Sequence, residues 1–228
     1  MNYKNILLAL LCLCLFSPTS IFSQGVDYGI TISPALSKIS YSSKPYPEFK
    51  NSLQPSGSVG FFIEKKVGEN SIGMELLWTF ISEKEASTDR TLITFSDNGP
   101  NELLANNLTL SPQLHYFSAP IYFRYSFGRL GLRVGLQNMF LLSSRFKYSI
   151  EGEADGEPIA YEGSDELTWV KKWDIGPKLG LDYMLSPKLT LKGEAYLGTQ
   201  EINNENMTAI KGHIRQFSLG LNYTIGSF

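Results

Sequence analysis

The sequence predicts an all-β chain folded as an eight-stranded antiparallel up-and-down transmembrane β-barrel. Three observations predict it. Apolar and polar residues alternate with a period of two along long runs, the mark of strands with two different faces. The runs are joined by connections that are in turn long and short, which puts short turns on one rim and long loops on the other. The polar face of the runs is rich in glycine, as a crowded barrel interior requires.

The longest run, Gln113 to Leu142, shows the pattern best. Phe117, Ala119, Ile121, Phe123, Tyr125 and Phe127 share one face, against Ser118, Pro120, Tyr122, Arg124 and Ser126. After the break at Phe127-Gly128-Arg129 the alternation resumes, with Leu130, Leu132, Val134, Leu136, Phe140 and Leu142 opposite Gly131, Arg133, Gly135 and Gln137. This is a long β-hairpin whose arms match a strand that crosses a bilayer.

The other six strands follow the same rule. The first runs through Tyr28, Ile30 and Ile32, and after a polar stretch from Ser37 to Pro55 the second carries Val59, Phe61 and Ile63. Val67-Gly68-Glu69-Asn70 turns the chain into a third strand with Ile72, Met74, Leu76, Trp78 and Phe80. A long loop from Ile81 to Pro112 precedes the central hairpin, with Arg90 to Phe95 able to extend a hairpin past the rim. Another loop, Ser143 to Lys171, follows it. The sixth strand presents Trp173, Ile175, Leu179, Leu181 and Tyr183, and Ser186-Pro187-Lys188 turns it into the seventh, with Leu189, Leu191, Ala195 and Leu197. A loop from Thr199 to Ile214 leads to the eighth, with Phe217, Leu219, Leu221, Tyr223 and Ile225. The first and last strands are expected to pair and close the sheet, leaving no exposed edge.

Residues 1–23 read as a cleaved secretory leader. Lys4 is the positive start, Ile6 to Phe16 the apolar core, and Ser23 a small residue before a cut at Gln24. Residues 24–228 are then a single barrel domain. Both cysteines, Cys12 and Cys14, fall in the leader, so the exported chain relies on no disulfide. No later stretch is apolar enough for a membrane-spanning helix. The net charge of −2 carries no basic stripe, which excludes nucleic acid as a partner.

Alternation also fits a soluble eight-stranded carrier of the lipocalin type, so the composition of the two faces has to decide. The polar face carries glycines together with acids and bases of both signs: Asp27, Glu64, Glu75, Asp174, Asp182 and Glu194, with Arg124, Arg133, Lys178 and Lys192. Such a set suits a paired network inside a membrane barrel, since isolated buried charges cost several kcal/mol each. The aromatics sort to the two strand ends. Trp78, Phe80, Phe117, Phe140, Trp173 and Phe217 lie toward the long loops, and Tyr28, Tyr125, Phe127, Tyr183 and Tyr223 toward the short turns. Two belts around an aliphatic middle are what the two interfaces of a bilayer favour.

Tyr116-Phe117-Ser118-Ala119-Pro120-Ile121-Tyr122-Phe123-Arg124-Tyr125 resembles a segment of the outer-membrane β-barrel family that includes the PorT-like proteins. Trp173 to Leu181, with its spaced glycines, is similar to that family's sixth strand, and Leu219-Gly220-Leu221-Asn222-Tyr223 to its closing strand. The resemblance implies a bacterial outer-membrane location and a link to protein secretion. It also implies recognition of the closing strand by the barrel-insertion machinery, with Phe228 as the terminal aromatic, although Phe228 falls out of phase with the strand before it.

Little points to chemistry. After the leader there are two histidines, His115 and His213. His115 lies near the long-loop rim with Ser111 close in sequence. A lipid-modifying enzyme would place a histidine, a serine and an acid there, but the parity of His115 points it outward, away from any such group. Glu151, Glu153, Asp155 and Glu162 nearly match the spacing of calcium-loop oxygen ligands around Gly156, with Glu in the usual first Asp position. An acidic solvated loop is the favoured account of them, because helical flanks are not apparent and such motif matches arise by chance. The expectation is a non-enzymatic protein without a cofactor, surrounded by outer-membrane lipid, that meets a protein partner through its long loops. Eight strands filled by side chains leave no room for porin-like conductance.

Overall fold

The computed structural model describes residues 25–41, 50–87, 91–93, 103–154, 157–167, 170–202 and 212–228. The expected leader and Asp155 lie outside them. Among the described residues twelve strands are formed: β1 (Val26–Tyr41), β2 (Lys50–Ser52), β3 (Gln54–Val67), β4 (Asn70–Ser82), β5 (Lys84–Ser87), β6 (Thr91–Ile93), β7 (Leu103–Phe127), β8 (Leu130–Ala154), β9 (Glu157–Glu166), β10 (Trp173–Ser186), β11 (Leu189–Leu197) and β12 (Gly212–Ser227).

Eight of these close into a ring in the order β1, β3, β4, β7, β8, β10, β11, β12, with β12 returning to β1 over Asp27 to Tyr41. All ring pairings are antiparallel between neighbours, so the barrel is up-and-down. Two of the three short turns are pinned by glycine. Gly68 and Gly128 open two-residue turns at φ +65°, a conformation that a side chain would strain and that matches the twist of a tight hairpin.

The remaining strands correct the expectation for the long connections. The segments from Ile81 to Pro112 and Ser143 to Lys171 are not plain loops. β7 and β8 are each 25 residues long and stay paired from Leu104↔Glu153 down to Phe127↔Leu130. β9 adds to β8, β5 and β6 add to β7, and β2 adds to β5. From Phe140 to the end of β8 the chain continues for about 45 Å of strand, so a sheet projects well past the rim. The alternation was lost to sequence reading there because the face pattern shifts at a bulge. His115 pairs with Ser143 but Tyr116 with Leu141, leaving Leu142 unpaired and exposed, and beyond it Ser144 and Ile150 are the buried residues.

A second bulge explains the phase of the last strand. Tyr28 pairs with Gly226 and Gly29 with Thr224, which leaves Ile225 extra. The extra residue turns Phe228 to the outer face, where its ring stacks on Tyr28 at 4.7 Å between centroids, and its backbone exchanges hydrogen bonds with Val26.

The outer wall of the barrel is apolar all round. Ile32, Phe61, Ile72, Ile121, Leu136, Leu181 and Leu219 are each more than half exposed. A soluble carrier would bury this face, so the protein is built to stand in lipid. The aromatic belt at the long-loop end is aligned by register: Trp78 is opposite Phe117, Phe117 opposite Phe140, and Phe140 opposite Trp173.

Candidate functional site: a sealed lumen below a projecting sheet

The inward face carries two storeys. In the lower one Glu64, Glu75, Asp182 and Glu194 meet Arg124, Arg133, Lys178 and Lys192, four acids against four bases. Glu75 is completely buried; it contacts Lys192 Nζ at 2.7 Å, Arg133 Nη1 at 3.0 Å and Lys178 Nζ at 3.5 Å. Arg124 and Arg133 sit directly opposite each other, a repulsive arrangement on its own. Asp182 Oδ2 resolves it by accepting from Arg124 Nε at 2.8 Å and Arg133 Nε at 2.7 Å. Glu194 contacts Lys178 at 3.1 Å and Lys192 at 3.3 Å.

Tyr122 belongs to this cluster although charge counting passes over it. Its hydroxyl donates to Glu64 Oε2 at 2.9 Å, and the Arg133 guanidinium lies 4.1 Å from its ring centroid. Glycine makes the space: a Cβ on Gly73 would lie 2.4 Å from the Tyr122 ring, and one on Gly131 would lie 2.7 Å from Arg124 Nε. The signal for Tyr122 in the sequence is its inward parity between Ile121 and Phe123.

Asp27 and Asp174, expected in the same network, do not reach it. Asp27 stands at the short-turn rim, 3.0 Å from Lys66 Nζ, and accepts from Ser227 Oγ. Asp174 lies near the opposite end, accepting from Tyr196 Oη at 2.8 Å and Gln200 N at 3.1 Å.

Above the charges the lumen turns apolar. Ile39, Ile81, Leu114, Tyr116, Met139, Tyr196 and Ile214 point inward from six strands, and Leu167, Val170 and Ile202 come in from the connections to complete the plug. Those connections are tied down by backbone bonds, Lys171 N to Ile202 O at 2.6 Å and Leu141 N to Lys172 O at 2.8 Å, and by Ser144 Oγ donating to Leu167 O at 2.8 Å.

The projecting sheet has two unlike faces. On one, Phe146, Tyr148 and Tyr161 form an aromatic row with centroids 5.9 Å apart at each step, beside the buried Ile150. The other carries Arg145, Lys147, Glu162 and Glu166, with Lys147 opposite Ser164 and Arg145 opposite Glu166. Among the described residues β9 pairs with β8 alone, so its far edge is open along ten residues. From Glu151 to Glu166 the sequence contains Glu151, Glu153, Asp155, Glu157, Glu162, Asp165 and Glu166 and no lysine or arginine.

The calcium candidates fall here. Glu151 and Glu153 are on β8 and Glu162 on β9, opposite Ser149. The spacing that would wrap a loop round one ion is drawn out along two paired strands, Glu151 accepts from Asn107 Nδ2 at 3.1 Å, and no group of three metal-ligating side chains forms among the described residues. His115 does face outward, as its parity required, stacked on Trp78 at 5.3 Å and tilted against Phe80 at 5.1 Å. Ser111 is not its neighbour; Ser143 is the residue across from it.

A model of the outer membrane protein β-barrel domain matches residues 22–203. The chain belongs to that family. It is therefore a bacterial outer-membrane β-barrel, with short turns on one rim and the projecting sheet on the other. Among solved structures it is similar to Ail, the attachment invasion locus protein of Yersinia pestis, in complex with the heparin analogue sucrose octasulfate. That match has 10% identity over 89% of this chain and 99% of that one, with a TM-score of 0.43. Neisserial surface protein A aligns at 11% identity over 89% and 100% of the two chains, TM-score 0.44. The outer membrane protease OmpT of Escherichia coli aligns at 9% over 88% and 97%, TM-score 0.38. No curated protein matches the sequence.

Proposed function

We propose that this barrel is a cell-surface recognition protein that captures an extended, basic protein segment on the open edge of β9. The observation that carries the reading is the coincidence of a free ten-residue strand edge with an acidic run lacking any base. An unpaired edge offers backbone donors and acceptors to an added strand, and alternate side chains give the selectivity. The carboxylates steer a cationic partner toward that edge. The lumen serves as a rigid support, and the protein acts by binding rather than catalysis.

The test is titration of the full-length barrel in detergent with an alternating Lys-Val decapeptide, an acidic counterpart, and a basic decapeptide interrupted by proline. The first should bind at least about tenfold better than the other two, and Glu162→Lys with Asp165→Lys should abolish the difference. Equal binding of the proline-interrupted peptide would mean charge attraction without strand addition and would sink the edge reading.

The segments Tyr116 to Tyr125 and Trp173 to Leu181, which resemble PorT-like proteins, favour a second reading in which the partner is a component of a protein secretion apparatus. Crosslinking in intact cells, followed by identification of the captured protein, separates a secretion component from an external ligand.

A further inference from the structure

We propose that Lys38 and Arg215 form a clamp on the outside of the barrel for the phosphate of an anionic lipid headgroup. The two residues are direct cross-strand partners on β1 and β12. Both face outward, since their neighbours Ser37, Ile39, Ile214 and Gln216 are buried in the lumen. Like charges directly opposite on a sheet repel, and no ion pair is formed by either residue among the described residues.

The barrel itself shows what such a pair requires. Inside, the directly opposed Arg124 and Arg133 are held together by a shared carboxylate oxygen of Asp182. Lys38 and Arg215 repeat that relation on the outer wall, and among the described residues no acid bridges them. An oxyanion supplied from outside the protein completes it, and phosphate fits because a guanidinium binds its oxygens in pairs while an ammonium adds a point charge.

The height identifies the source. The row just below is Leu36 opposite Phe217, both exposed, with Phe217 in the aromatic belt of the long-loop end. One outward-facing step along a strand is two residues, roughly 7 Å, so Lys38 and Arg215 occupy the first layer beyond that belt, where headgroups lie. Their long stems cover apolar wall while the charges reach that layer. The next row along the two strands is Ser40 opposite His213.

Native mass spectrometry of the full-length barrel, released from detergent micelles containing equal amounts of phosphatidylglycerol and phosphatidylcholine, tests this. Wild type should retain phosphatidylglycerol about tenfold in preference. Lys38→Gln with Arg215→Gln should remove most of that preference, Lys38→Arg with Arg215→Lys should keep it, and Lys188→Gln on the short-turn rim should leave it unchanged. If the doubly neutral variant fails to close, judged by heat-modifiable gel migration, the single neutral variants carry the test, each losing about threefold. An undiminished preference in the neutral variants overturns the proposal. A phosphate adduct formed with millimolar inorganic phosphate alone, and lost in the neutral variant, assigns the pair to a free anion and overturns the lipid source.

Discussion

The two storeys of the lumen fill the same eight-stranded tube by opposite means. The lower is held by ion pairs, with Glu75 touching three cations while completely buried. The upper is packed by Ile81, Leu114, Tyr116, Met139 and Ile214, which need no partner of particular charge. Charges taken out of water are tolerable only as a complete set. Apolar side chains fail gradually, in proportion to the volume removed. The lower storey should therefore be intolerant of any single neutralisation, and the upper graded in its response.

The largest effect is expected at Glu75. Glu75→Gln leaves Arg133, Lys178 and Lys192 short of a carboxylate and should destabilise the barrel by about 3–5 kcal/mol, read from urea unfolding in lipid vesicles. Adding Lys192→Met should recover part of the loss, because it removes one of the stranded charges. A Glu75→Gln barrel within about 1 kcal/mol of wild type would break the distinction between the storeys, since an exposed pair is worth no more than that.

In the upper storey, Leu114→Ala is expected to cost about 2–4 kcal/mol, and Leu114→Met under about 1.5 kcal/mol, by the same measurement. Equal loss from both would show that shape rather than volume governs the plug.

The smallest effect on the barrel is expected from the projecting sheet. Replacing residues 149–162 by a two-residue Asn-Gly turn, which joins the register partners Tyr148 and Gly163, removes the β8–β9 tip, where Glu157, Tyr161 and Glu162 are exposed, and leaves both storeys intact. Unfolding should shift by no more than about 1 kcal/mol while peptide capture is lost. A barrel that no longer closes would show that the sheet is structural.

Much of this was legible in the sequence because a strand writes its two faces into alternate residues. Glu75, Arg133, Lys178 and Lys192 are inward by parity alone, and Leu36, Phe117, Phe140 and Phe217 are outward. Reading stopped where parity shifts. The bulges at Leu142 and Ile225 exchange the faces, so the outer part of β8 looked like loop and Phe228 looked misplaced. Parity also grouped Asp27 and Asp174 with the cluster, because it reports a face and not a height.

By itself, then, the sequence determined the eight strands of the barrel wall, the short turns at Gly68 and Gly128, the lipid-facing side and the inward direction of the charges. These follow from backbone geometry that acts over a few residues. Tertiary structure alone decided which charges meet. Arg124 and Asp182 are 58 positions apart and Lys192 and Glu75 are 117 apart, and only closure of the ring brings them within hydrogen-bond reach. Closure likewise carried Leu167 and Ile202 into the plug and set Lys38 against Arg215 on the outer wall.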